Sequence, residues 1–223
     1  MKVPVLRNIL EANERIAAEN RALLDRHGVF CFNLMSSPGA GKTTLLERTI
    51  DLLAGSMRLG VIEGDIASSE DALRISRKGV RAVQINTDGA CHLDASMVRG
   101  AMEEFDLAEL DLLVVENVGN LVCPAEFNVG EHCKVMILSV AEGDDTPLKY
   151  PLMFHESAVL LINKIDLLPY LDCSVEKIRS RSLAINPKLQ IFEVSARTGE
   201  GLAAWAEWVR GRVAGLVGGG QKA

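Results

Sequence analysis

The sequence has few aromatics: Phe, Trp and Tyr together make up 4% of its 223 residues. So few rings leave little from which to build a stacking platform for single-stranded nucleic acid. Positive charge is not in excess either. The net charge of −6 argues against a surface that tracks a phosphate backbone. No apolar run approaches the ~18 residues of a membrane-spanning helix. Met1 to Arg7 carry no signal-peptide apolar core. The five cysteines, at 31, 91, 123, 133 and 173, are odd in number and scattered. They do not resemble a secreted disulfide framework. There is no internal repeat. Together these absences predict a cytoplasmic protein with reduced thiols that engages neither nucleic acid nor membrane.

Hydrophobic content of 48% and charged content of 24% are ordinary globular values. A chain of this length buries roughly 70% of the surface its unfolded form exposes, so it needs no disulfides. Residues 4–27 repeat Leu6, Ile9, Leu10, Ile16, Ala17, Leu23 and Leu24 near helical spacing. That is an amphipathic helix closed by His27-Gly28, packing on the domain or lending a face to a partner.

Strands are predicted at Val29–Met35, Leu59–Glu63, Ala82–Asn86, Leu112–Glu116, Val135–Val140, Val159–Asn163 and Gln190–Val194. Helices are predicted at 43–54, 69–78, 93–105, 174–184 and 201–215. Strictly alternating elements with continuous Val/Ile/Leu strands imply a doubly wound, mostly parallel α/β sheet. The expected plan is an N-terminal helix (1–28), one domain (29–216) and a disordered tail (217–223).

In such a sheet, ligands bind beyond the carboxyl ends of the strands, and the chemistry of this sequence gathers there. After the first strand comes Ser36-Ser37-Pro38-Gly39-Ala40-Gly41-Lys42-Thr43-Thr44, a Gly-rich turn opening into a helix. Backbone N–H groups and the helix dipole converge on an anion in such a loop. Ser37, Gly39, Ala40, Gly41 and Thr44 would line it, Lys42 would reach the β- and γ-phosphates, and the Thr43 hydroxyl would bind Mg²⁺. Ser36 stands where the usual pattern has its first Gly.

Asn163-Lys164-Ile165-Asp166 fits Asn-Lys-x-Asp, and Ser195-Ala196-Arg197 fits the Ser-Ala-Lys/Arg loop, each at a strand end. The Asp166 carboxylate can accept from N1–H and the 2-amino group of guanine, which adenine does not offer. The Lys164 stem can cover the purine, and a backbone N–H of 195–197 can meet O6. The ligand is therefore GTP or GDP.

Glu116 ends the fourth strand where an acid normally serves Mg²⁺, and Gly119 follows three residues later, as in a γ-phosphate-sensing switch. Asp65 is a second Mg²⁺ candidate, or else a helix N-terminal acid before Ser68-Ser69-Glu70. Lys42, Asp65, Glu116 and Gly119 are thus the catalytic candidates. No Gln or Arg is placed to orient water, so slow hydrolysis is expected.

Cys91, His92 and Cys123 lie in loops just past the third and fourth strands and offer soft-to-borderline ligands suited to Ni²⁺ or Zn²⁺. Three ligands do not close a four-coordinate site, so water, another ligand or a second chain must complete it. Cys31 and Cys133 read as buried hydrophobes, with His132-Cys133 an alternative ligand pair.

The stretches 36–44, Glu63-Gly64-Asp65, Gly89-Ala90-Cys91-His92-Leu93-Asp94, 116–125 (Glu-Asn-Val-Gly-Asn-Leu-Val-Cys-Pro-Ala), 142–151 and 163–166 resemble the HypB family of GTPases that help insert nickel into [NiFe]-hydrogenase. The resemblance spans nearly the whole chain. It implies a P-loop NTPase of the SIMIBI type, a GTP-dependent homodimer, and a Ni/Zn site of Cys91, His92 and Cys123 at its interface. It further implies a HypA-type nickel chaperone and the hydrogenase large-subunit precursor as partners. Ser at position 36 is common in that family. With no Cys-x-x-Cys-Gly-Cys motif and only four histidines, nickel storage and a separate N-terminal site are not expected. The alternatives are a urease nickel-delivery GTPase, whose Cys-Pro-His motif is here split between Cys91-His92 and Cys123-Pro124, and a nucleotide-gated metal scaffold with negligible turnover. A P-loop small-molecule kinase would have no use for Asn-Lys-x-Asp.

Overall fold

The apolar runs form the interior of a seven-stranded sheet. Its strands are β1 (Phe30–Ser36), β2 (Leu59–Asp65), β3 (Arg81–Asn86), β4 (Leu112–Glu116), β5 (Cys133–Ser139), β6 (Ser157–Asn163) and β7 (Gln190–Glu193). They lie in the order β3-β2-β4-β1-β5-β6-β7, and every pairing is parallel. Every residue of β1, β4 and β5 is buried, because helices cover both faces. The edge strands β3 and β7 are partly exposed. The structure is a computed structural model that describes residues 4–65 and 70–219.

Side chains alternate across the sheet and feed separate cores. Phe30, Phe32 and Leu34 face α2 (Lys42–Leu53) and α9 (Leu202–Gly219), where Trp205 is buried. Trp205 meets Phe32 edge-on at 5.7 Å and donates its indole N–H to Thr49 Oγ1 at 3.0 Å, so its polar tip is satisfied. Cys31 and its neighbours on β4 face α1 (Pro4–His27) and α4 (Ala95–Met102). A third core lies under α7 (Pro151–Glu156) and α8 (Val175–Ile185).

Buried asparagines dock α1. Asn13 accepts from Ala95 N at 2.9 Å, one of the free N–H groups at the start of α4. Asn20 donates to the carbonyls of Ala95 and Val129 at 2.8 and 3.0 Å. Near its end, Asp25 meets His132 Nε2 at 2.9 Å, while His132 Nδ1 accepts from Cys31 N at 3.0 Å.

The predicted strands and long helices appear with boundaries shifted by a few residues. α3 (Glu70–Ser76) is shorter than its 69–78 expectation, and α4 starts at Ala95 because the Asp94 carboxylate caps it through Met97 N. The short helices α5 (Cys123–Glu126) and α6 (Thr146–Lys149), together with α7, were not predicted. Each carries Pro at its first or second position. The segment expected as a tail from 217 is helical through Gly219, and 220–223 lie outside the described residues. Ser68 and Ser69 lie outside them too. Among the described residues no helix is long and apolar enough to cross a membrane.

Candidate functional site

The turn from β1 into α2 carries positive φ at Gly39 (76°) and Gly41 (101°), but not at Ser36. Ser36 still belongs to the extended strand, which is why no glycine is needed there. Its hydroxyl accepts from Lys42 Nζ at 3.1 Å. A side chain at Gly41 would be strained and would place Cβ 2.8 Å from Asn163 Nδ2. The loop is thus built against the base side of the site.

That base side is cross-linked to the phosphate loop. Asn163 Nδ2 donates to Ala40 O at 2.9 Å, and its Oδ1 accepts from Ala196 N at 3.0 Å. Lys164, with φ 65°, places its ammonium on Gly39 O at 2.7 Å. Asp166 Oδ1 accepts from Ser195 Oγ at 2.7 Å, and Arg197 Nη1 lies 3.8 Å from Oδ2. Arg48 on α2 donates to the carbonyls of Ala196 and Arg197. The two guanine motifs and the phosphate loop therefore share one hydrogen-bonded frame at one sheet edge.

A cleft of about 210 Å³ opens beside Lys42, lined by Pro38, Glu63, Asp65, Asp71, Glu116 and Gly119. Thr43 Oγ1 donates to Glu116 Oε1 at 2.8 Å. Glu63 pairs with Glu116 in the β2–β4 register, and both are buried. Glu63 Oε1, Glu116 Oε2 and the Ser37 hydroxyl are buried with no hydrogen-bond partner. Burial, then the facing Glu116, pushes the Glu63 carboxyl far above the carboxylate range. Burial also raises Glu116, opposed by Lys42 and by the Thr43 hydroxyl. A hard cation with oxygen ligands fits this donor set: Thr43, Asp65 and Glu116 would hold Mg²⁺, and Glu63 adds a carboxylate behind them. Gly119 rests on the phosphate loop itself, since a Cβ there would lie 3.1 Å from Pro38.

Beyond β3 and β4 the loops converge. Cys91 Sγ is 3.1 Å from Cys123 Sγ and 3.7 Å from His92 Nδ1. The three ligand atoms all lie within 4.8 Å of one another. Tetrahedral Zn²⁺ or a similar ion holds such atoms roughly 3.5–3.8 Å apart, so small rotations suffice. The His92 ring lies against Phe127, centroids 3.9 Å apart, and burial lowers its pKa, favouring the neutral imidazole that binds metal. The Cys91 thiol, then burial, raises Cys123 above its ordinary value. His132 and Cys133 do not form a second pair. The imidazole is engaged by Cys31 N and Asp25, and Cys133 is buried in the β-sheet core.

Glu63, Asn117 and Asn120 were not singled out from sequence. Strand alternation could have found Glu63, since it shares the inward face with Val61, two residues before Asp65. A larger groove of about 570 Å³ lies at the opposite sheet edge, away from these motifs. Its Arg58 and Lys78 are already paired with Asp111 and Asp51.

Residues 30–193 match the nucleotide-binding domain of the CobW/HypB/UreG family. The hydrogenase maturation factor HypB of Azotobacter chroococcum mcd 1 is 52% identical over 207 residues, covering 93% of this chain and 68% of that protein. This chain belongs to the HypB family. Among solved structures, HypB from Helicobacter pylori in complex with nickel superposes with a TM-score of 0.86 at 38% identity, covering 91% of this chain and 95% of that one. HypB from Archaeoglobus fulgidus gives the same TM-score and identity, covering 91% and 99%. The fold is that of a P-loop NTPase, and membership of this family brings nucleotide binding and hydrolysis.

Proposed function

We propose that this protein binds GTP with Mg²⁺, hydrolyses it slowly, and uses the nucleotide state to time the transfer of nickel during [NiFe]-hydrogenase maturation. The observation that carries this reading is the meeting of Cys91, His92 and Cys123 on loops adjoining a guanine-type nucleotide cleft. Asp166 reads N1–H and the 2-amino group of guanine, held for that task by Ser195. Ser37, Gly39, Ala40, Gly41, Lys42, Thr43 and Thr44 grip the phosphates. Thr43, Asp65 and Glu116 hold Mg²⁺, which supplies positive charge to the β- and γ-oxygens. Gly119, seated against Pro38, is the contact that a γ-phosphate displaces. Gln84 on β3, paired with Glu63 in the sheet register, also lines the cleft; slow turnover requires that it not orient the attacking water.

Two Cys/His sets brought together in a GTP-dependent homodimer would close a Ni²⁺ or Zn²⁺ site that three ligands leave open. The partners are then a HypA-type nickel chaperone on the supply side and the hydrogenase large-subunit precursor on the delivery side. The test is mass and metal content of the protein with GDP and with a non-hydrolysable GTP analogue. The expected result is a monomer with GDP and a dimer with the analogue, with nickel binding lost in Cys91→Ser and Cys123→Ser. Unchanged mass, or nickel retained at full stoichiometry in both variants, would refute the reading. A scaffold with negligible turnover would dimerise yet release no phosphate from GTP over hours.

A further inference from the structure

The segment 116–123 touches both ends of the molecule's chemistry. At the phosphate end Glu116 accepts from Thr43, and Gly119 packs on Pro38. At the metal end it carries Cys123. Asn117, next to Glu116, also lines the cleft, but it is only 1% exposed and its amide is engaged beneath the loops. Its Oδ1 accepts from Leu93 N at 3.0 Å and from Val118 N at 2.9 Å. Its Nδ2 donates to Asn33 Oδ1 on β1 at 3.1 Å. Leu93 is the residue after His92. One side chain thus ties the nucleotide-sensing strand end to the loop that presents Cys91 and His92. Asn120 adds a weaker, exposed link, donating to Cys91 O at 3.2 Å.

We propose that Asn117 is the positioning residue that couples the occupant of the phosphate loop to the geometry of the Cys91–His92–Cys123 cluster. The proposal rests on the reading above that this cluster takes nickel or zinc. Any ligand that draws Thr43 away from Glu116, or lifts Gly119 from Pro38, moves the backbone at 116–119. The buried Leu93 N–H has Asn117 Oδ1 as its acceptor, and a buried donor left without one loses its full solvation with nothing in return. The 91–93 loop therefore follows Asn117 rather than letting go. Cys123 travels on the same segment, so the two halves of the cluster shift by different paths and their spacing changes. A merely structural Asx turn would need only the Val118 contact, which is local; the contacts to Leu93 and Asn33 cross 24 and 84 residues.

The test compares the Ni²⁺ affinity of the GDP-bound and GTP-analogue-bound full chain, in wild type, Asn117→Ala and Asn117→Asp. Coupled sites typically differ ~5–150-fold between states. In Asn117→Ala the ratio is expected to fall to within about two-fold of one, because no coupling free energy remains. Asn117→Asp keeps both acceptor contacts and is expected to retain the ratio. A wild-type ratio different from one that survives Asn117→Ala overturns this proposal alone. A wild type that binds nickel equally in both states overturns the coupling, and one that binds none in either state overturns the metal reading with it. Should Asn117→Ala fail to fold, the Leu93 amide in wild type decides. A nucleotide-dependent change in its NMR shift supports the strut, and an identical shift in the two states overturns it.

Discussion

Glu63 and Glu116 stand at the same register of β2 and β4, two buried carboxyl groups that share a proton, since burial and the Glu116 carboxylate hold Glu63 protonated. Glu63→Gln replaces that shared proton with a fixed amide N–H and removes the cost of keeping a buried acid protonated at neutral pH. In EDTA and without nucleotide, the variant is expected to melt about 2–4 °C above wild type, the shift that about 1 kcal/mol gives a chain of this size. Differential scanning calorimetry reads it directly. A lower melting temperature would mean that the protonated Glu63 serves Glu116 better than an amide does.

Asp166 is oriented by Ser195 Oγ at 2.7 Å. Asp166→Asn reverses one donor–acceptor match to guanine. GTP affinity should fall by at least about 100-fold, with xanthosine triphosphate gaining. Fluorescent-nucleotide titration with both ligands checks this, and undiminished GTP affinity would remove Asp166 from base recognition.

Gly41 combines φ 101° with an Asn163 amide 2.8 Å from where a Cβ would sit. Gly41→Ala is expected to cost roughly 1–3 kcal/mol of stability through local strain. Both GTP and GDP binding should be lost together, because the phosphate and base sides shift as one. Chemical denaturation and equilibrium binding on the same preparation separate the two effects.

His132 must keep Nδ1 unprotonated to accept from Cys31 N, so its proton sits on Nε2 and is given to Asp25. Burial, then Arg21, lowers its pKa below 6.5, against the pull of Asp25. The unfolded chain takes up this proton as pH falls through about 6.5, while the folded chain does so only lower down. Stability is therefore full above that value and is lost on acidification. Asn at 132 can still accept from Cys31 N but does not titrate. His132→Asn should flatten the stability profile between pH 7 and pH 5 in urea unfolding. Parallel profiles for the two proteins would show that His132 makes no contribution.

Much of this architecture was readable from the residues alone. Strands such as Leu112–Glu116 were legible because a short, continuous Val/Leu run, alternating along the chain with helical patterns, fits a parallel strand covered on both faces. Looking just past each strand end found Lys42, Asp166, Cys91 and Cys123, since the doubly wound topology brings those ends to one edge. The same habit reached Glu63-Gly64-Asp65 but gave Glu63 no role, because only counting alternate faces turns it inward with Val61. The short helices at 123–126, 146–149 and 151–156 escaped because a single turn has no periodicity to detect. Asn117 and Asn120 look like ordinary loop polar residues until the loops they join are seen to be neighbours.

Asn163 gives its amide to the phosphate loop and its oxygen to the loop at Ala196. A fragment such as guanosine or pyrophosphate fills one half of the resulting frame and leaves the other half ordered but empty. Once the first half is occupied, the second needs no further ordering, so a whole nucleotide binds more tightly than the product of its fragments' affinities. Free nucleosides and pyrophosphate are then weak competitors, and the protein answers to the intact di- or triphosphate.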